Sequence, residues 1–110
     1  ETDALWAAEQ ALRSDACSAV LYWPRKLSFT ATRRLQLASE VGGTWGLCFR
    51  PSHAATMPTT AALRLLFKPT ETGAMLTILK CRGSKTEGKL AIYRDTMSAF
   101  SNTNTFDLIV

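Results

Sequence analysis

The sequence predicts one α/β domain, spanning residues 1–110, in which two N-terminal helix–strand units give way to antiparallel hairpins. Three observations predict it. Two stretches with helical spacing of apolar residues are each followed by a short run that is apolar on both faces, the pattern of a buried parallel strand. Both runs stop at a proline, Pro24 and Pro51. After residue 60 the helical spacing gives way to short strand-like runs separated by turn residues.

The elements follow in order. Residues 3–14 read as a helix: Leu5, Ala8 and Leu12 share one face, Glu9 and Arg13 stand at i,i+4 on another, and Thr2 or Asp3 is placed to cap it. Residues 17–23 are the first buried strand. Residues 28–41 form the second helix, capped by Ser28 or Thr30, with Ala31, Leu35, Ala38 and Val41 facing inward and Gly42-Gly43 ending it where the backbone must turn left-handed. Residues 45–49 are the second strand. Helix, strand, helix, strand is the order that builds a parallel sheet through crossovers. Residues 50–60 are small, polar and flanked by prolines, and read as a loop. Three strands are expected at 62–68, 74–81 and 89–94, joined by turns into hairpins. The composition of 61–67 also suits a helix, but its shortness and the nearby Pro69 and Gly73 favour a strand. Residues 95–104 are rich in Ser, Thr and Asn and read as a loose tail. Phe106 to Val110 are apolar again, suited to an edge strand, a segment captured by a partner, or a frayed end.

Composition narrows the function. The 110 residues are 46% hydrophobic and 20% charged, ordinary values for a globular domain. A net charge of +4 permits contact with DNA or an acidic protein without demanding either. No apolar run is long enough to cross a membrane as a helix, so no membrane is expected. The opening residues are acidic and amphipathic, so no secretory signal is expected either. Cys17, Cys48 and Cys81 are an odd number at wide spacing, neither a disulfide framework nor a zinc pattern, and their apolar surroundings predict reduced core residues and a cytoplasmic setting.

Catalytic signatures are missing. No Gly-x-x-x-x-Gly-Lys-Ser/Thr loop occurs to wrap phosphates, no Gly-x-Ser-x-Gly elbow, and no cluster of metal ligands. The single histidine, His53, has no acidic residue near it in sequence, and a lone loop histidine is usually solvated. The reading is therefore a non-enzyme with no cofactor and no metal.

Several strings carry a resemblance. Residues 9–21 (EQALRSDACSAVL), 33–38 (RRLQLA) with Gly42-Gly43, 47–51 (LCFRP), 58–65 (PTTAALRL) and 79–83 (LKCRG) are together similar to the RecA-like SOS-response group that contains the translesion-synthesis accessory protein ImuA and the cell division inhibitor SulA. The likeness covers residues 3–94. It implies a truncated RecA-like sheet, related to the P-loop NTPases but without a P-loop. The strands after Pro58 favour the ImuA-like member. In the RecA-like ATPases the first of these strands ends in an acid that helps hold magnesium; here Tyr22-Trp23-Pro24 stands at that end, and an indole offers no oxygen ligand to a hard cation. No P-loop strand is expected ahead of residue 3.

What the resemblance implies is a bacterial DNA-damage-response protein that acts by contact with a translesion polymerase-like protein or RecA, with DNA as a further contact. Two alternatives stay open: a division inhibitor that binds FtsZ and blocks its polymerisation, and a fragment of a degenerate RecA-like ATPase. The candidate partner surface is Trp23, Arg25, Lys26 and Arg50 at the carboxyl ends of the strands, where open α/β sheets meet ligands and where an aromatic beside an arginine makes an interface hot spot. Lys80, Arg82, Lys85 and Lys89 around one hairpin turn form a basic set for phosphate or an acidic partner; the plainer reading is a solvated turn whose lysines discourage edge pairing. A free sheet edge left by truncation also favours a homodimer.

Overall fold

A computed structural model describes residues 2–84, 88–94 and 105–110. It is a mixed α/β fold, one six-stranded sheet with two helices. In chain order the elements are α1 (Thr2–Arg13), β1 (Ala19–Tyr22), α2 (Phe29–Gly42), β2 (Trp45–Pro51), a 3-10 turn (Ser52–Thr56), β3 (Leu63–Thr70), β4 (Gly73–Cys81), β5 (Gly88–Tyr93) and β6 (Phe106–Ile109). The strands lie in the order β1-β2-β6-β3-β4-β5. β1 and β2 are parallel, and every other pairing is antiparallel.

Helix α1 turns Ala8 and Leu12 inward, and α2 meets them with Leu35 and Ala38; Leu5, Val20, Tyr22 and Leu27 complete this cluster. The two helices cross closely because Gly42 has no side chain. A Cβ there would lie 1.8 Å from the Leu12 carbonyl oxygen. Ser28 caps α2 through its hydroxyl, which accepts from the Ala31 N–H at 3.1 Å, and Gly43, at φ +60°, closes it in the left-handed region that favours glycine. Glu9, itself buried, accepts from Arg13 and Arg34 at 3.3 and 2.6 Å and so ties the two helices together.

Three expectations from sequence are corrected. The apolar end of the chain is neither an edge strand nor frayed: β6 sits in the middle of the sheet, between β2 and β3, and buries Asp107 and Ile109. Val41 is exposed rather than facing the core, because Thr32 and Gly42 take the inward positions of α2. Cys17 is also exposed, since β1 starts only at Ala19; Cys48 is buried and Cys81 half-buried. The segment taken for a plain loop contains the 3-10 turn, and the tail at 95–104 lies outside the described residues.

Side chains alternate across a strand, so the register assigns each to a face. Val20, Tyr22, Gly46, Cys48 and Ile109 share the face that carries both helices. Leu21, Leu47, Phe49, Leu65, Leu76, Ile78, Leu90, Ile92 and Leu108 share the other. The charged strand residues Arg50, Arg64, Lys68, Lys80, Lys89 and Asp107 all fall on the helix-bearing face. Among the described residues the opposite face is therefore wholly uncharged within the strands.

Candidate functional site: an open apolar sheet face

The open face begins where β1 ends. Tyr22 points toward the helices, so alternation sends Trp23 to the other side, where its indole stacks on the Phe49 ring of β2 (centroids 5.0 Å apart, planes 12° apart). Offset stacking of two aromatics adds about 0.5–1.5 kcal/mol beyond simple burial. Even so, Trp23 keeps 66% of its surface in solvent. Trp45, at the start of β2, is also 66% exposed, and Leu90 on β5 is 60% exposed; Leu21 and Ile92 are exposed as well. Between them Leu47, Leu65, Leu76, Ile78 and Leu108 are only half-buried. Among the described residues, exposed apolar side chains thus run along this face from β1 to β5. Soluble monomers rarely leave so large a continuous apolar patch, and such patches mark interaction sites.

The residues singled out from sequence divide into groups. Trp23 lies on this face, and Arg25 and Lys26 are exposed on the connection that follows it. Arg50 does not join them. It is buried on the helix-bearing side, with Nη2 3.4 Å from Met57 Sδ, so it braces the 51–57 segment instead of presenting a charge. Of the basic set, Lys80 donates to the Thr59 carbonyl at 2.9 Å and Arg82 to the Thr60 carbonyl at 3.1 Å, fastening the connection between β2 and β3. Arg82 also stands 3.8 Å from Glu40. Lys89 is exposed on β5, and Lys85 lies outside the described residues. Lys80 and Arg82 thus serve the local fold while their cations stay at the surface. His53 is exposed in the 3-10 turn.

Reading from sequence missed Leu21, Phe49, Leu90 and Ile92 as members of one surface. Part of the signal was present: in β3 both charges, Arg64 and Lys68, fall on one parity, but the register shift between Arg64 and Leu65 puts Lys80 of β4 on the opposite face from Leu76 and Ile78, which share its parity in the sequence. Seen one strand at a time, that alternation is faint, and in β1 and β2 it looks like burial on both sides.

The helix-bearing side holds the polar interior. Arg64 and Asp107 form a buried bidentate pair, Nε to Oδ1 at 3.1 Å and Nη2 to Oδ2 at 2.9 Å. Two further donors of Arg64 go to the carbonyls of Ala54 and Met57. One guanidinium thereby locks β3, β6 and the 3-10 turn together. Nearby, burial pushes the Cys48 thiol up to about 12; the charge of Asp107 works in the same direction, and Arg50 and a hydrogen bond with Tyr22 oppose it. Burial, with Cys48 beside it, likewise raises the Tyr22 phenol well above its ordinary value. Both groups stay protonated and neutral near pH 7, so neither is an activated nucleophile or base.

A cleft of about 330 Å³ opens on the same side, lined by Tyr22, Leu35, Gln36, Thr44, Ala61 and Ala62 among others. No group of three or more metal-ligating side chains occurs among the described residues, and no described helix is long and apolar enough to cross a membrane.

Models of known families, curated proteins and solved structures contain no match to this chain. The functional reading therefore rests on the surface itself and on the resemblance carried by the residues quoted above.

Proposed function

We propose that this chain is a non-enzymatic protein-contact domain of the bacterial SOS response, of the ImuA type, which docks a translesion polymerase-like protein or RecA in the cytoplasm. The observation that carries the reading is the uncharged face of the sheet, with Trp23 stacked on Phe49 and flanked by Arg25 and Lys26. Large aromatics beside arginine supply most of the energy of protein interfaces, and a sheet face with no charge leaves no ion to desolvate on docking. What the fold shares with that reading is coarse: two parallel strands joined through a helix, then antiparallel hairpins. Trp23 at the end of β1, with its ring committed to Phe49, suits contact better than metal-assisted phosphoryl transfer, which needs oxygen ligands at that position. Protein contact takes precedence over DNA because Lys80 and Arg82 are engaged with backbone carbonyls.

The test is a pull-down with the full chain, wild type against the double variant Trp23→Ala/Arg25→Ala. The wild type retains a polymerase-like protein or RecA, and the variant loses it with its far-ultraviolet circular dichroism unchanged. Retention by both overturns the choice of surface. Loss of FtsZ polymer on adding the chain, with neither of the other partners retained, selects a division inhibitor instead. ATP turnover by the chain overturns the non-enzymatic reading.

A further inference from the structure

The breadth and chemistry of the open face limit what can cover it. Six strands about 4.8 Å apart span roughly 24–29 Å. A single helix is about 10 Å across and covers a third of that width. A second sheet covers all of it, because two sheets pack face to face at about 10 Å with inward side chains interdigitating.

The charges narrow the choice further. The chain carries a net charge of +4, so two copies repel across most of their surfaces. The strand residues of the open face contribute none of that charge. A two-fold interface sets a surface against itself, and an uncharged apolar face is compatible with its own copy where a cationic one is not.

The area is also sufficient. Trp23, Trp45, Leu21, Leu90 and Ile92 range from 44% to 66% exposed. With whole side-chain surfaces of about 150–250 Å², these five leave roughly 600 Å² in solvent, and the half-buried residues between them bring the face to about the 800 Å² per partner of a standard stable interface.

We propose that the occupant of this face, when no other partner is engaged, is a second copy of the same chain packed sheet against sheet in a two-fold dimer. The proposal rests on the reading of this face as the contact surface, and it adds a regulation: self-association and partner docking exclude one another. Neither free sheet edge, β1 nor β5, is used in this arrangement.

Analytical ultracentrifugation of the full chain tests it. The expected mass at micromolar concentration is twice 12.1 kDa, falling to a monomer on dilution. Dissociation returns Trp23 and Trp45 to water, so tryptophan emission moves to longer wavelength along the same dilution curve; this readout needs no variant. The double variant Leu21→Lys/Leu90→Lys places cations at two exposed positions of the face and is monomeric at every concentration, with its circular dichroism retained. A wild type that is monomeric throughout overturns the dimer while leaving the pull-down result, and hence the proposed function, intact. A dimer that survives the lysine substitutions, or that dissociates with no change in emission, overturns the face in favour of an edge-to-edge contact.

Discussion

Replacing Asp107 with alanine removes one member of a pair that the rest of the molecule is built around. Arg64 keeps only 6% of its side-chain surface in solvent and Asp107 none. The substitution leaves a guanidinium with no counter-charge and strips the acceptors from its Nε–H and one Nη2–H, while the two carbonyls that remain take only its other hydrogen bonds. Breaking a buried pair in this way costs about 3–5 kcal/mol, a large part of the roughly 5–15 kcal/mol that holds a domain together. Urea unfolding followed by circular dichroism reads the loss. At a slope of about 1.5 kcal/mol/M, the midpoint falls by roughly 2–3 M. The double variant Arg64→Leu/Asp107→Leu separates the pair from its parts. Removing both charges together costs far less than the sum of the single losses, because no ion is stranded. It does not return fully to wild type, since Arg64 also holds the 3-10 turn through Ala54 and Met57. A loss under about 1 kcal/mol for Asp107→Ala, or single losses that simply add in the double variant, refutes the claim that this pair organises β3, β6 and the turn.

Further outcomes follow from the same geometry. Gly42→Ala places a methyl group 1.8 Å from the Leu12 carbonyl oxygen, so α1 and α2 must part, with a loss of about 1–3 kcal/mol in thermal or urea unfolding. Gly43→Ala meets no neighbouring atom but holds alanine at φ +60°, which costs about 1–2 kcal/mol by backbone strain alone. Stability holds through neutral pH and declines in alkali. The folded Cys48 thiol titrates at about 12 against an ordinary 9.0, so between those values the unfolded chain has lost the proton that the folded chain keeps. The unfolding free energy then falls by up to about 1.4 kcal/mol per pH unit, and burial of Tyr22 acts in the same direction. At pH 7 a thiol reagent modifies Cys17 rapidly and reaches Cys48 only on unfolding, as mass spectrometry of the labelled peptides shows.

Much of the fold is legible in the sequence because local signals agree with tertiary ones. Leu5, Ala8 and Leu12 repeat at helical spacing and do pack on α2. Ser28 and the Gly42-Gly43 pair bracket α2 as capping chemistry requires. The hairpins after residue 62 follow from short apolar runs between turn residues, and β3 to β5 fall within two residues of their expected bounds. The place of β6 was not legible. Phe106 to Ile109 are apolar enough to be a strand anywhere, and only the pairing of Asp107 with Arg64, 43 residues earlier, fixes them between β2 and β3. Arg50 misled for a related reason. An arginine at a strand end suggests a surface, but here strand alternation turns it toward the buried side. Trp23 was legible as a surface aromatic because Pro24 ends the strand directly behind it. Leu90 and Ile92, on the same face, lie on β5 with four strands between, a distance that no local pattern spans.

Hydroxyl-radical footprinting of the full chain, dilute and alone against saturated with the polymerase-like protein or RecA proposed as its partner, addresses most directly whether the bare side of the sheet is where this molecule makes its working contact. Protection confined to Leu21, Trp23, Trp45, Leu90 and Ile92, with Trp6 and Val41 of the helical layer unchanged, is the predicted result. Protection of the helical layer with those five side chains as reactive as before contradicts it.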